Sequence, residues 1–239
     1  MVGGGTLKVK AIAVDVDGTI TDARMKLSLK AISAIRRLEA SGIRVILASG
    51  NTLCVVKTLA TYIGCSGACI CEGGGVVEYR GEIRKLGSRN LAMKALAKLK
   101  KLYGNAIEES WSNPYRLVDV AFHSSLSMEE LSKALKRVKG VKLLFSGFAY
   151  HLVDASVDKG RGLRVASDLM DIDLDEVVAV GDSDVDIELL KASGLGVALG
   201  NAPRSLKRVA DVVIARSYGE GFAKFGSMIL KGKLELRKR

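Results

Sequence analysis

Asp15 and Asp17, one residue apart, follow a short, mostly apolar and β-branched run at residues 10–14. The run carries no helical stripe, so it reads as a buried strand that ends at Gly18 in a turn. Side chains two apart on an extended chain point the same way. Both carboxylates therefore face one pocket at the carboxyl end of a sheet, where open α/β folds bind ligands. Neither is tolerated there without a partner. A divalent cation is the obvious one, because a hard ion such as Mg²⁺ takes oxygen ligands and keeps water or substrate phosphate in its shell.

Three further stretches supply matching groups. Gly181-Asp182-Ser183-Asp184-Val185-Asp186 directly follows a second buried run at 177–180. Asp182 and Asp186, four apart and opening a helix, are expected to share a face and to ligate metal, while Asp184 points elsewhere. Carboxylates packed within about 4 Å repel by roughly 4 kcal/mol per pair at an effective dielectric near 20, so the cluster calls for a cation. Ser49-Gly50, at a strand-to-helix turn, offers a hydroxyl and backbone N–H groups to an anion. Lys159 opens another helix, where the macrodipole disfavours a cation, so it requires an anionic neighbour. A phosphate with Mg²⁺ on one side and lysine on the other meets that need.

The elements that must position these groups alternate. Strand, helix, strand, helix, strand over residues 10–71 is the rhythm of a parallel sheet with crossover helices, and Ser28 caps the first helix, whose apolar residues are Ala31, Ile32, Ile35 and Leu38. A hairpin is expected at 76–79 and 82–85. The rhythm then changes: helix at 90–103, strand at 116–123, helix at 127–138, and a hairpin of 141–145 with 149–154. From Lys159 the first pattern returns, through a loop at 200–203 that holds Asn201, to a closing helix at 221–230. The chain is thus predicted to be α/β, with core segments 1–83 and 157–239 interrupted by a small α+β unit at 84–156.

Composition narrows the partners. With 239 residues, 48% of them hydrophobic, the chain can bury a sizeable core, and no apolar run approaches the ~18 residues of a membrane span. Residues 1–8 lack the apolar region of a signal peptide, which predicts a cytoplasmic protein, and Gly3, Gly4 and Gly5 read as a mobile leader. Cys54, Cys65, Cys69 and Cys71 raise a zinc site. Cys69 and Cys71 lie in an alternating run in which at most one is expected to face any given side, so core packing is favoured. The formal charge is +11, yet the basic residues are scattered along helices or collected at 231–239, and aromatics are 5%. That argues against nucleic acid and for anionic small molecules.

Asp15-Val16-Asp17-Gly18-Thr19, Ser49-Gly50-Asn51, Lys159-Gly160 and Gly181-Asp182-Ser183-Asp184-Val185-Asp186, in this order, resemble the four motifs of the haloacid dehalogenase-like phosphohydrolases. The insert is similar to that family's type 2 cap on a Rossmann-like three-layer core. Chain length, the Ser-Gly-Asn motif and the small cap are most similar to the archaeal phosphoglycolate phosphatases. The resemblance implies that Asp15 is the nucleophile forming an aspartyl-phosphate and that Asp17 is the general acid and base. It implies that Ser49, Gly50 and Lys159 hold the phosphoryl oxygens, and that Asn201 touches the substrate phosphate or lies behind it. Mg²⁺ would be bound by Asp15, the Asp17 carbonyl, Asp182 and Asp186, the last directly or through water. The substrate implied is a small phosphomonoester, foremost 2-phosphoglycolate, and the oligomeric state expected is monomer or homodimer.

One departure is Val185, where family members often carry Asn. The rival inside the family is a phosphosugar phosphatase or a phosphomannomutase-like enzyme. Outside it, a receiver-type phosphorylatable module is disfavoured because its acidic pair and its phosphorylated Asp lie on different strands. The glycines at 194, 196 and 200 have the wrong spacing for a dinucleotide fingerprint. Arg116, His123, Lys142 and His151 are the cap groups that face substrate if any do, with His123 expected to be a partly buried structural residue.

Overall fold

Ala11–Asp15 (β1) is buried throughout, and alternation along it divides the protein into layers. The computed structural model describes residues 8–147 and 149–234; the glycine leader and the end of the basic tail lie outside them. After β1 come Leu29–Ala40 (α1), Arg44–Ala48 (β2), Leu53–Ile63 (α2), Cys69–Cys71 (β3), Val76–Tyr79 (β4) and Glu82–Lys85 (β5). The insert holds Arg89–Tyr103 (α3), Glu108–Glu109 (β6), Val120–His123 (β7), Met128–Leu135 (α4), Val141–Phe145 (β8) and Tyr150–Asp154 (β9). Lys159–Met170 (α5), Val177–Gly181 (β10), Ile187–Ala192 (α6), Leu195–Ala198 (β11), Arg204–Val209 (α7), Val212–Val213 (β12) and Tyr218–Leu230 (α8) complete it.

Eight strands form one sheet in the order β12-β11-β10-β1-β2-β3-β4-β5, parallel from β12 to β3 and antiparallel beyond. Later strands leave β1 in both directions, so β1 sits at the switch point where such sheets bind ligands. Ile12 and Val14 pack into the layer that contains Leu38, Phe222 and Phe225 of α1 and α8. Ala11 and Ala13 pack into the layer that contains Leu163 of α5 and Leu189 of α6. Register aligns the strand ends, Val14 with Val180 and Asp15 with Ala48, so Asp15, Ser49 and Asp182 emerge on one edge.

The insert is a four-stranded antiparallel sheet, β6-β7-β9-β8, with α3 and α4 on one face. Leu96, Leu99, Phe122 and Leu152 form its own apolar core, each full burial contributing roughly 1.5–3 kcal/mol. Pairing of β5 with β4 runs to Lys85, two residues past the expected end of the first core segment, and we propose that the inserted unit starts after it. Gly74 lies where the chain returns to the core. At φ +102°, a Cβ there would stand 2.0 Å from the Asp158 carbonyl oxygen and 2.8 Å from the Lys159 nitrogen.

Four sequence expectations are corrected. Cys69 and Cys71 share one face, in the α1 side of the core, with Ile70 on the other, as period-2 geometry requires. The strand expected at 116–123 begins only at Val120, because the Glu72 carboxylate takes the N–H groups of Leu117, Val118 and Asp119 at 2.7, 2.8 and 3.0 Å. α8 starts at Tyr218, not 221, because the Ser217 carbonyl accepts the Gly221 N–H and closes a first turn. His123 is exposed at the end of β7, not partly buried. Among the described residues no helix is long and apolar enough to cross a membrane.

Candidate active site

Asp15 ends β1 on the face that carries α5, and Lys159 opens α5, so the two side chains meet. The lysine also donates to Asp186 Oδ1 at 2.6 Å. Asp186 Oδ2 accepts the backbone N–H of Asp182 and of Ser183, both at 3.1 Å, and the Ser183 hydroxyl at 3.0 Å. The turn after β10 thus ties its own last carboxylate into place. Asp182 is gripped from two sides, Oδ1 by the Thr19 hydroxyl at 2.7 Å and Oδ2 by the Asn201 amide at 2.8 Å. Gly18, at φ +88°, permits this: a Cβ there would fall 2.3 Å from Asp182 Oδ2.

One oxygen from each of Asp15, Asp182 and Asp186 lies within 4.8 Å of the others. Asp15 Oδ2 is buried and has no hydrogen-bond partner among the described residues. An orphaned carboxylate oxygen amid hard oxygen donors fits a divalent ion of the Mg²⁺ type, with Asp15, Asp182 and Asp186 as the side chains that would hold it. Burial, reinforced by the Asp186 charge, pushes the Asp15 carboxyl well above its usual range despite Lys159. Burial and Asp186 likewise push Asp182 up to about 6 despite Thr19. Lys159, which burial alone would lower, is held above the ordinary lysine value by Asp15 and Asp186.

Asp17 is anchored by the loop after β2. Its Oδ2 accepts the Asn51 amide at 3.0 Å and the Ser49 hydroxyl at 3.4 Å, and Ser49 Oγ in turn accepts the Asn51 backbone N–H at 3.1 Å. Burial raises the Asp17 carboxyl, against the pull of Lys159 and Ser49.

Asp15, Asp17, Gly50, Lys159 and Asp182 line one cavity of about 700 Å³ between core and insert. Ser49, Asp186 and Asn201 lie behind it. Asn201 spends its amide hydrogens on the Gly18 carbonyl and Asp182 and accepts the Tyr218 N–H, so it orients a carboxylate instead of presenting a donor to a phosphate. Asn51 and Thr19 belong to the quoted motifs, but spacing alone gave them no part. Asp184 is exposed and bonded to Ser205, and Val185 sits at the rim, 38% exposed.

The cap presents Lys142, Ser146 and His151 to the same cavity. Arg116 does not reach it. That side chain is buried, donates to both Asp119 oxygens at 2.8 and 2.7 Å and to the Gly50 carbonyl at 3.2 Å. Asp119 also meets His151 Nδ1 at 2.9 Å. Burial alone would raise Asp119, but His151 and Arg116 outweigh it and hold the carboxyl low.

Comparison with known proteins fits this geometry. A family model described as haloacid dehalogenase-like hydrolase matches residues 12–110 and 93–225. The chain belongs to that family. Haloacid dehalogenase-like relatives include the phosphoglycolate phosphatase of Archaeoglobus fulgidus, 41% identical over 216 residues, covering 90% of this chain and 94% of the relative. The phosphoglycolate phosphatase of Methanothermobacter thermautotrophicus is 38% identical over 215 residues, covering 90% and 96%. A crystal structure of the Thermoplasma acidophilum protein 0175 superposes with a TM-score of 0.85 at 28% identity, covering 93% of this chain and 99% of that one. This family member is accordingly an enzyme, a phosphoric monoester hydrolase.

Proposed function

We propose that the chain is a Mg²⁺-dependent phosphatase of small phosphomonoesters, foremost 2-phosphoglycolate, acting through an aspartyl-phosphate on Asp15. The single observation that carries the reading is the buried, partnerless Asp15 oxygen beside Asp182 and Asp186. The names of the archaeal relatives support the substrate.

In this reading an Asp15 oxygen attacks phosphorus, the bond from phosphorus to the ester oxygen breaks, and Asp17 gives its proton to the departing alcohol. Asp17 then takes a proton from the water that attacks phosphorus, the acyl-phosphate bond breaks, and inorganic phosphate leaves. Lys159 fixes the nucleophile and balances charge on the phosphoryl oxygens, assisted by the Gly50 N–H, and Ser49 acts on them through the Asp17 carboxylate that it holds. The bound dication would screen the repulsion between the Asp15 carboxylate and the incoming phosphate. Asn51 and Ser49 both bond Asp17 Oδ2, leaving Oδ1 for the substrate side.

The cavity volume favours one second reading: about 700 Å³ also admits a hexose phosphate. A panel of phosphomonoesters assayed with Mg²⁺ and with EDTA tests both. Turnover of 2-phosphoglycolate that chelation abolishes is expected. Activity surviving EDTA overturns the metal role, and preference for hexose phosphates overturns the substrate.

A further inference from the structure

We propose that Lys142 forms a subsite for a second anion, a carboxylate on the alcohol side of the ester, so that the enzyme selects phosphorylated hydroxy acids over neutral phosphoesters. The inference rests on the reading of the acidic cluster as the phosphate end of the cavity.

Alternation sets which cap residues look inward. Lys142 pairs with Val153 and Leu144 with His151 across β8 and β9, and all four line the cavity, while Leu143 and Leu152 turn to the cap core. The cationic groups of this lining are already engaged with carboxylates except at one place. Asp119 is neutralised by Arg116 and bonded to His151. Lys159 is committed to Asp15 and Asp186. Lys142 alone among the described lysines of the lining meets no carboxylate; its ammonium donates to the neutral Val157 carbonyl. An ammonium has three donors, so two remain for a ligand, and an anion placed in the cavity would meet this cation.

Ser146 follows β8 at the other end of that strand and is held by His151. Nε2 of the ring lies 3.2 Å from the Ser146 oxygen, and the hydroxyl donates to the Ala149 carbonyl at 3.1 Å. Leu144, Phe145 and Val153 fill the surrounding wall, so the hydroxyls of a sugar ring would face apolar carbon there and lose hydrogen bonds to water. A carboxylate beside Lys142 thus finds a cation, whereas an uncharged tail there finds no opposite charge.

Steady-state kinetics with saturating Mg²⁺ on 2-phosphoglycolate and on ethyl phosphate, which has an uncharged tail, test the subsite. Wild-type enzyme is expected to favour the acid. Lys142→Gln is expected to lower kcat/KM for the acid by about 10- to 100-fold, the range for a hydrogen bond to a charged group, and to change ethyl phosphate less than about threefold. Lys142→Arg should recover part of the loss. An equal loss on both esters, or a wild-type enzyme that hydrolyses both alike, overturns the subsite and leaves the phosphatase reading standing. A wild-type enzyme inert on both esters overturns the two together.

Discussion

The floor and the roof of the cavity are built in opposite ways. On the floor, Asp15, Ser49, Asp182 and Asn201 follow parallel strands whose register is fixed over several pairs, and each carboxylate receives donors from its own or an adjoining turn. In the roof, Arg116, Asp119, His151 and Ser146 make a chain of contacts spread over three segments of an antiparallel unit. Short motifs suffice for the first, because a strand end has one place to go. The second depends on which face of a period-2 pattern turns inward, and that is decided by α3 and α4 on the far side of the sheet.

Substitutions separate these two regions sharply. Asp15→Asn should lower kcat by at least about 10⁴-fold, as removal of a nucleophile does, with the thermal midpoint nearly unchanged; turnover near wild type would dismiss the floor as the reacting centre. Arg116→Met should cost about 3–5 kcal/mol in urea unfolding, since it strands the Asp119 carboxylate in the interior, and Asp119→Leu in the same chain should recover much of it. Additive losses in the pair would contradict the coupling. Asp182→Asn should raise the Mg²⁺ concentration for half-maximal activity about 10- to 100-fold, read by titration of the metal.

The smallest effect concerns the seam between floor and roof. Burial, with Asp119 next, pushes the Glu72 carboxyl up to about 7 from an ordinary 4.5, against three backbone donors. Between those values the folded chain keeps a proton that the unfolded chain has released, so stability should fall as pH rises from 4.5 to 7 and then level off. On the proposed reading saturating Mg²⁺ would suppress the similar slope from Asp182. Under that condition Glu72→Gln should flatten part of what remains, of order 2 kcal/mol, in denaturation curves taken across the window. Identical slopes for both proteins would remove Glu72 from the account.

Legibility followed the same division. Asp15, Asp17, Ser49 and Asp182 stood out as polar residues where apolar runs end, Asp186 by its four-residue spacing from Asp182 and Lys159 as a lysine opening a helix, and the structure brings them together. Glu72 did not, since its role depends on amides 45 to 47 residues away that no local pattern announces. Of the two histidines, His151 is buried between Asp119 and Ser146 while His123 is exposed, a distinction that hangs on strand register. Cys69 and Cys71 could have been placed from alternation alone, and Asn201 needed the partner that only the fold brings.

Gly74 has a bearing on turnover through the tightness of its packing against Asp158 and Lys159. The last link of the roof and the first residue of the catalytic helix are wedged on the same spot, with no room for a methyl group. A tilt of the insert about this seam would therefore strain residue 74 and the first residue of α5 together, and a side chain at position 74 would push on both.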